Sequence, residues 1–258
     1  MVISDTARLL IKKSRGEACM ILVSHNELVA VTSKAFSGLR LPYGEADLIA
    51  NMVADLEMVG LHGIKHFITA LNYLNQTNVK PCNITFESDS EINIDLNNES
   101  ILCHLPTILG YISDKLLENN NVKLNIENCC NRWLAFGELC KLSKDGISIK
   151  TCWDDFFEPI TIKYLLNSGN KLPEIYINNL MSRDNDGSFI ASRKLTIELS
   201  NSTFSLPSAA DYQQHISSAE LKRYQEDSWS NGISIQLSDW EKLKESSQAI
   251  LVPSGNVI

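Results

Sequence analysis

The segment Ala54-Asp55-Leu56-Glu57-Met58-Val59-Gly60-Leu61-His62-Gly63-Ile64 holds the residues whose types and spacing come nearest to chemistry. His62 stands directly before a glycine. An imidazole titrating near neutrality can supply the proton that a carbonyl needs as it becomes an alkoxide. A histidine beside glycine at a helix junction also commonly does no more than cap or hydrogen-bond a turn. His66 lies four residues on, so two imidazoles share one helix face where the segment is helical. Such a pair can begin a zinc site, but no third ligand stands at an obvious spacing, and no metal is expected. His25, His104 and His215 have no evident partners in the sequence.

The elements that must position these residues are helical. Met20-Ile21-Leu22-Val23 reads as a short buried strand. Ser24, with Glu27 three residues later, forms a capping box. The helix it opens runs to about Ser37, with Leu28, Val31 and Ala35 inward and Gly38 at its end. Leu41-Pro42-Tyr43-Gly44 is a turn. A second helix carries Ala46, Ile49, Ala50, Val53 and Leu56, and Gly60 interrupts it. A third carries Ile64, Phe67, Ile68, Leu71 and Leu74. The expected helices lie near 25–37, 45–59 and 63–74, within a helical subdomain over 1–78.

The second region, 79–258, has a different texture. Asn83–Phe86, Ile92–Leu96 and Val122–Ile126 alternate like half-buried strands, with a helix at Leu102–Leu117 that holds Pro106 near its start. Ile175–Ile177 and Leu195–Leu199 read as further strands. Asp145-Gly146-Ile147-Ser148-Ile149 before Trp153, and Asn231-Gly232-Ile233-Ser234-Ile235 before Trp240, suggest a duplicated strand–helix unit at 145–170 and 231–256. Each copy closes on Ser-Gly-Asn, and both tryptophans are expected to be core anchors. Asp184-Asn185-Asp186-Gly187 has the look of part of a calcium loop but lacks its closing Glu, so a plain turn is expected. The fold class is α+β: an N-terminal helical subdomain and a mixed β-sheet region.

Ala54-Asp55-Leu56, five residues, then His62-Gly63-Ile64 resembles a motif of the type-2 malate/L-lactate dehydrogenases. The resemblance extends over roughly residues 20–75, through the apolar strand, the Val-Ser helix start and the helix ending near glycine. It implies that His62 is the acid–base residue and that the protein forms a homodimer, and Asp55 and His66, beside it in the same segment, are the expected substrate contacts. That family has Asp-Ser before the histidine, where this chain has Gly60-Leu61. No G-x-G-x-x-G or other Gly-rich dinucleotide segment is evident, and the chain is short for the two-part enzyme. Gly-Ile-Ser-Ile, a Trp and the Leu251-Val252-Pro253-Ser254 close are similar to an uncharacterised bacterial family of unknown function.

Composition bounds the rest. The 258 residues are 44% hydrophobic and 21% charged, as in a globular chain. A net charge of −8, with no basic run longer than Lys12-Lys13, excludes a nucleic-acid partner. No window reaches the apolar length of a membrane span, and Met1–Arg15 reads as a short helix rather than a secretory signal. Seven cysteines without C-x-x-C spacing fit small buried side chains in a reducing cytoplasm. Two functions are open. One is a non-catalytic or accessory protein that binds a small molecule or takes part in assembly, with no cofactor. The other is an NAD- or NADP-dependent oxidoreductase reducing a 2-oxo acid or cyclic imine, with His62 as general acid.

Met52, Met58, Val59 and Phe67 exceed a single helical stripe, and such surplus apolar surface marks a homodimer or a complex with a partner protein. Sedimentation at micromolar concentration is expected to show a species larger than the 28.9 kDa chain. A monomer with no co-purifying partner would defeat the expectation.

Overall fold

Ser24 opens the first helix as its neighbours require. Its hydroxyl accepts from the Glu27 N–H at 3.2 Å, and its carbonyl accepts from the Leu28 N–H at 3.0 Å. The computed structural model describes residues 19–37, 45–74, 80–155, 158–179 and 191–248. The helix is α1 (His25–Ser37), followed by α2 (Glu45–Met58) and α3 (Gly63–Leu74). All three match the expected spans to within a residue.

The chain falls into two units. The first joins Met1–Thr77 to Arg223–Ile258. Here β1 (Met20–Val23) pairs antiparallel with β10 (Ile233–Gln236), in a register that sets Met20 opposite Gln236 and Val23 opposite Ile233. β1 was expected to be buried, but only Val23 is, and Leu22 is 66% exposed. A two-stranded sheet covers one face, and the alternate residues stay in water. Helix α2 is buried on nearly every side, through Ile49, Ala50, Met52, Val53, Ala54, Leu56, Glu57 and Met58. A helix closed off all round occupies the centre of its unit. α1 and α3 pack on it, and α7 (Leu237–Gln248) packs on both α1 and α3. Met52, Met58, Val59 and Phe67 are therefore buried within the chain, at 0–2% exposure. These four side chains belong to the core of the unit and are not the surplus apolar surface read from the sequence.

The second unit is Asn78–Lys222. Its sheet has eight strands in the order β2-β3-β4-β8-β5-β6-β7-β9. These are β2 (Asn83–Glu87), β3 (Glu91–Asp95), β4 (Asn121–Glu127), β5 (Ser148–Asp154), β6 (Ile160–Leu166), β7 (Glu174–Asn179), β8 (Leu195–Ser200) and β9 (Gln214–Ile216). β3 and β4 run parallel, and the other pairs are antiparallel. The parallel pair needs a crossover, and α4 (Leu105–Glu118) supplies it, with Pro106 in its first turn and Leu105, Ile108, Leu109, Ile112 and Leu116 inward. α5 (Phe136–Lys144) follows β4, and α6 (Ser218–Asn231) carries the chain out of this unit into the first.

Among the described residues the two segments do not form matching strand–helix units. After β5 the chain forms a second strand, β6, whereas β10 leads directly into helix α7. Ile160, Ile162 and Tyr164 alternate with period two and suit a hairpin. The stretch around Trp240 and Leu243 has helical spacing. Both tryptophans are nevertheless buried, Trp153 at 3% and Trp240 at 5%. The expected features at Met1–Arg15, Gly38, Leu41–Gly44, Asp184–Gly187 and Ser254–Asn256 lie outside the described residues. Among the described residues no helix is long and apolar enough to cross a membrane.

Gly63 sets the contact between α2 and α3. A Cβ on Gly63 would stand 2.2 Å from the Val53 carbonyl oxygen and 2.9 Å from the Glu57 nitrogen. Gly63→Ala must push the two helices apart, so it is expected to cost at least about 3 kcal/mol. Urea unfolding of the variant measures this, and a loss below about 1 kcal/mol would show the approach to be soft.

Candidate functional site

Helix α2 ends in a Schellman motif. The Gly60 N–H donates to the Glu57 carbonyl at 2.9 Å, and the Leu61 N–H donates to the Leu56 carbonyl at 3.1 Å. Gly60 takes the left-handed conformation that this motif needs, with φ +79°. Gly60-Leu61 is where the chain departs from the dehydrogenase motif, and here the pair closes the helix.

His62 comes next, also left-handed with φ 56°. A residue with a Cβ holds that conformation only where its surroundings impose it. The His62 carbonyl accepts from the His66 N–H at 3.1 Å, so His62 stands at the start of α3. The carboxyl of Glu57 reaches across from the last turn of α2, and its Oε2 accepts from the Ile64 N–H at 2.8 Å. One of the open amides at the head of α3 is thereby satisfied.

A cleft of about 240 Å³ opens beside this turn. Glu57, His62, Ile64 and Lys65 line it from the α2–α3 junction, and Met20 lines it from β1. Ser234, Ile235 and Gln236 from β10 and Asp239 from the first turn of α7 close the other side. His62 is half-buried and Lys65 is exposed. Glu57 is only 8% exposed. Burial pushes its carboxyl up to about 7, against the Ile64 N–H, which favours the ionised form, and with a further rise from the charge of Asp239. A carboxyl that titrates near neutrality and an imidazole then stand on one cleft, a pairing able to hold or move a proton.

Of the residues singled out in the sequence, His62 lines the cleft. Asp55 on α2 and His66 on α3 are half-buried and are not part of its lining. Among the described residues no group of three or more His, Cys, Asp or Glu side chains is placed to hold a metal. Sequence reasoning missed Glu57 and Asp239. Asp239 lies about 180 residues away in the chain and carried no local signal, while Glu57 stood inside the quoted segment as an ordinary helix residue. The other histidines do have surroundings. His25 packs against Trp229 with ring centroids 5.0 Å apart. His215 Nε2 lies 2.6 Å from Glu174 Oε2 and its ring stacks on Tyr176. His104 is buried, with Nε2 unpartnered. None of the seven cysteines is in a disulfide among the described residues, and only Cys129 and Cys140 are buried, so the expected burial holds for two of them.

A family described as a protein of unknown function (DUF3726) matches residues 23–100, which include the α2–α3 junction. No curated protein matches. Solved structures do. Malate dehydrogenase from Pyrococcus horikoshii OT3 is similar with a TM-score of 0.67 at 11% identity, over 91% of this chain and 97% of that one. Sulfolactate dehydrogenase from Methanocaldococcus jannaschii gives 0.63 at 12%, over 88% and 96%. Delta1-piperideine-2-carboxylate reductase from Pseudomonas syringae pv. tomato gives 0.61 at 12%, over 88% and 99%. The chain has a malate/lactate dehydrogenase-type fold. The likeness runs through about nine-tenths of it rather than residues 20–75 alone, and it spans nearly the whole of those chains.

The Glu57 carboxyl makes stability depend on pH in a definite sense. Its folded-state value of about 7 lies above the ordinary 4.5, so the folded chain keeps a proton that the unfolded chain releases. The resulting stabilisation is fully present below about 4.5 and is lost as pH rises through 7. Glu57→Gln cannot titrate. From pH 5 to pH 8 the wild type is expected to lose about 2.5 kcal/mol relative to that variant. Parallel urea titrations at the two pH values measure the difference, and identical pH slopes would show that Glu57 is ionised throughout.

Proposed function

We propose that the protein binds a small polar molecule in the His62 cleft and acts as a binding or accessory protein built on a dehydrogenase-type fold. The observation that carries this reading is the convergence of His62, Glu57, Gln236 and Asp239 on one cleft. Concave sites with a few polar groups among apolar walls, here Met20, Ile64 and Ile235, are the usual form of a ligand site. At about 240 Å³ the cleft suits a molecule of a few heavy atoms. A dinucleotide does not fit it. The volume falls below the roughly 300–1,000 Å³ of drug-sized pockets, and a pyrophosphate would meet two carboxyl groups and a single lysine.

A second reading is an oxidoreductase reducing a 2-oxo acid or cyclic imine, with His62 as the proton donor. The position of His62 on the cleft wall favours it. So do the names of the similar structures, which are those of dehydrogenases and a reductase. Cytoplasmic residence, read from the cysteines, and association with a second copy or another protein, which rests on the resemblance to a dimeric family and no longer on the buried Met52, Met58, Val59 and Phe67, belong to the same proposal.

Calorimetry and thermal shift separate the two. NADH and NADPH are expected to show no saturable binding in the micromolar range, and saturable binding would favour the reductase. Small polar acids and amines, screened singly, are expected to include one that stabilises the wild type by about 2–3 kcal/mol near 100 times its Kd. Ser234 is exposed on the cleft wall, so Ser234→Trp fills the cleft without entering the core and should abolish that stabilisation. Equal stabilisation of the variant would place binding elsewhere.

A further inference from the structure

We propose that the Glu57–Asp239 end of the cleft is a subsite for the protonated amine of a small ligand. The inference rests on the cleft being a ligand site, and adds which charge it selects.

The two carboxyl groups come from separate elements, Glu57 from the end of α2 and Asp239 from the first turn of α7, and both line the same cavity. Among the described residues neither forms an ion pair. Glu57 is more than nine-tenths buried. Its Oε2 is held by the Ile64 N–H, and no hydrogen bond among the described residues reaches its Oε1. A buried carboxyl with an open oxygen on a cavity wall lacks its counter-group, and buried charges are ordinarily paired. The basic groups on the cleft do not fill that role. Lys65 is exposed and makes no ion pair with either acid among the described residues, and His62 stands half-buried across the turn. An ammonium group fits on both counts: it donates up to three hydrogen bonds and brings one positive charge to two acids. A carboxylate placed there would face like charge.

Binding should then be coupled to the Glu57 proton. Asp239, His62 and Lys65 are the charged or titratable groups that share the cleft with it. With the carboxyl near 7, it is mostly protonated at pH 6 and mostly ionised at pH 8, while an alkylamine with a pKa of about 10 stays charged at both. The amine is expected to bind about tenfold more tightly at pH 8 than at pH 6. The contribution of Glu57 is read from a variant that cannot titrate.

The probes are 1,4-diaminobutane and succinate, which share a four-carbon length and differ in terminal charge. Isothermal calorimetry on the full chain is expected to show the diamine binding at least tenfold more tightly than succinate at pH 8. Glu57→Gln keeps an oxygen for the Ile64 N–H. It should weaken the diamine about tenfold and flatten its pH dependence, and Asp239→Asn should weaken it without flattening. Ser234→Trp should abolish it. Diamine binding that is absent, or unchanged in Glu57→Gln, overturns the subsite. Succinate binding that Ser234→Trp removes would show in that case that the cleft is still a ligand site. If that is missing too, the cleft reading falls with it.

Discussion

The approach of Gly63 to the backbone of α2 is the contact on which the candidate site depends. Without a side chain at this position, the head of α3 lies directly against the Val53 carbonyl. That nearness lets a side chain from the last turn of α2 reach the first turn of α3, where Glu57 accepts from Ile64. It also leaves only Val59, Gly60, Leu61 and His62 to reverse the chain. So short a connection closes through the two bonds of the Schellman motif and two departures into left-handed backbone, at Gly60 and His62. The orientation of His62 is therefore a by-product of how tightly two helices are joined.

Glu57 is tolerated in that junction because the cost of burying it is limited in two ways. One oxygen has a backbone donor, and the carboxyl can take up a proton near neutral pH. A buried group left ionised and unpaired would cost far more. The apolar residues around it on α2, Leu56, Met58 and Val53 among them, are nearly fully buried, and their burial offsets a polar residue that contributes nothing to the core. A carboxyl retained at such a cost, on the wall of a cleft, reads more naturally as part of a site than as part of the packing.

The helices were legible because their signals are local. A capping serine, apolar residues at helical spacing and a terminal glycine each lie within a few residues of what they determine. What failed was non-local. Four apolar residues at Met20–Val23 read as a buried strand, yet their exposure depends on a partner strand about 210 residues later that covers one face. Asp239 enters the cleft by the same pairing, since β10 leads straight into α7. His215 finds Glu174 across 41 residues. The similar stretches before Trp153 and Trp240 misled because Gly-Ile-Ser-Ile specifies a turn and a strand but not the element after them. That element was decided by the period-two residues of Ile160–Tyr164 in one case and the helical spacing of Trp240 and Leu243 in the other.

The dehydrogenase motif shows how backbone and chemistry separate. At 11–12% identity to the malate and sulfolactate dehydrogenases, the chain keeps the course of the fold through about nine-tenths of its length. A histidine before glycine also stands at its α2–α3 junction. Beside that histidine it has Gly60-Leu61, whose part in this chain is to end a helix, and its acids sit at Glu57 and Asp239 instead. A fold is maintained by volume and hydrogen bonds, which many side chains satisfy, whereas a site is defined by which charges meet. Here the buried end of the cleft is acidic and its lysine is exposed. A backbone shared with enzymes named for malate and sulfolactate thus carries a cleft whose interior suits positive charge.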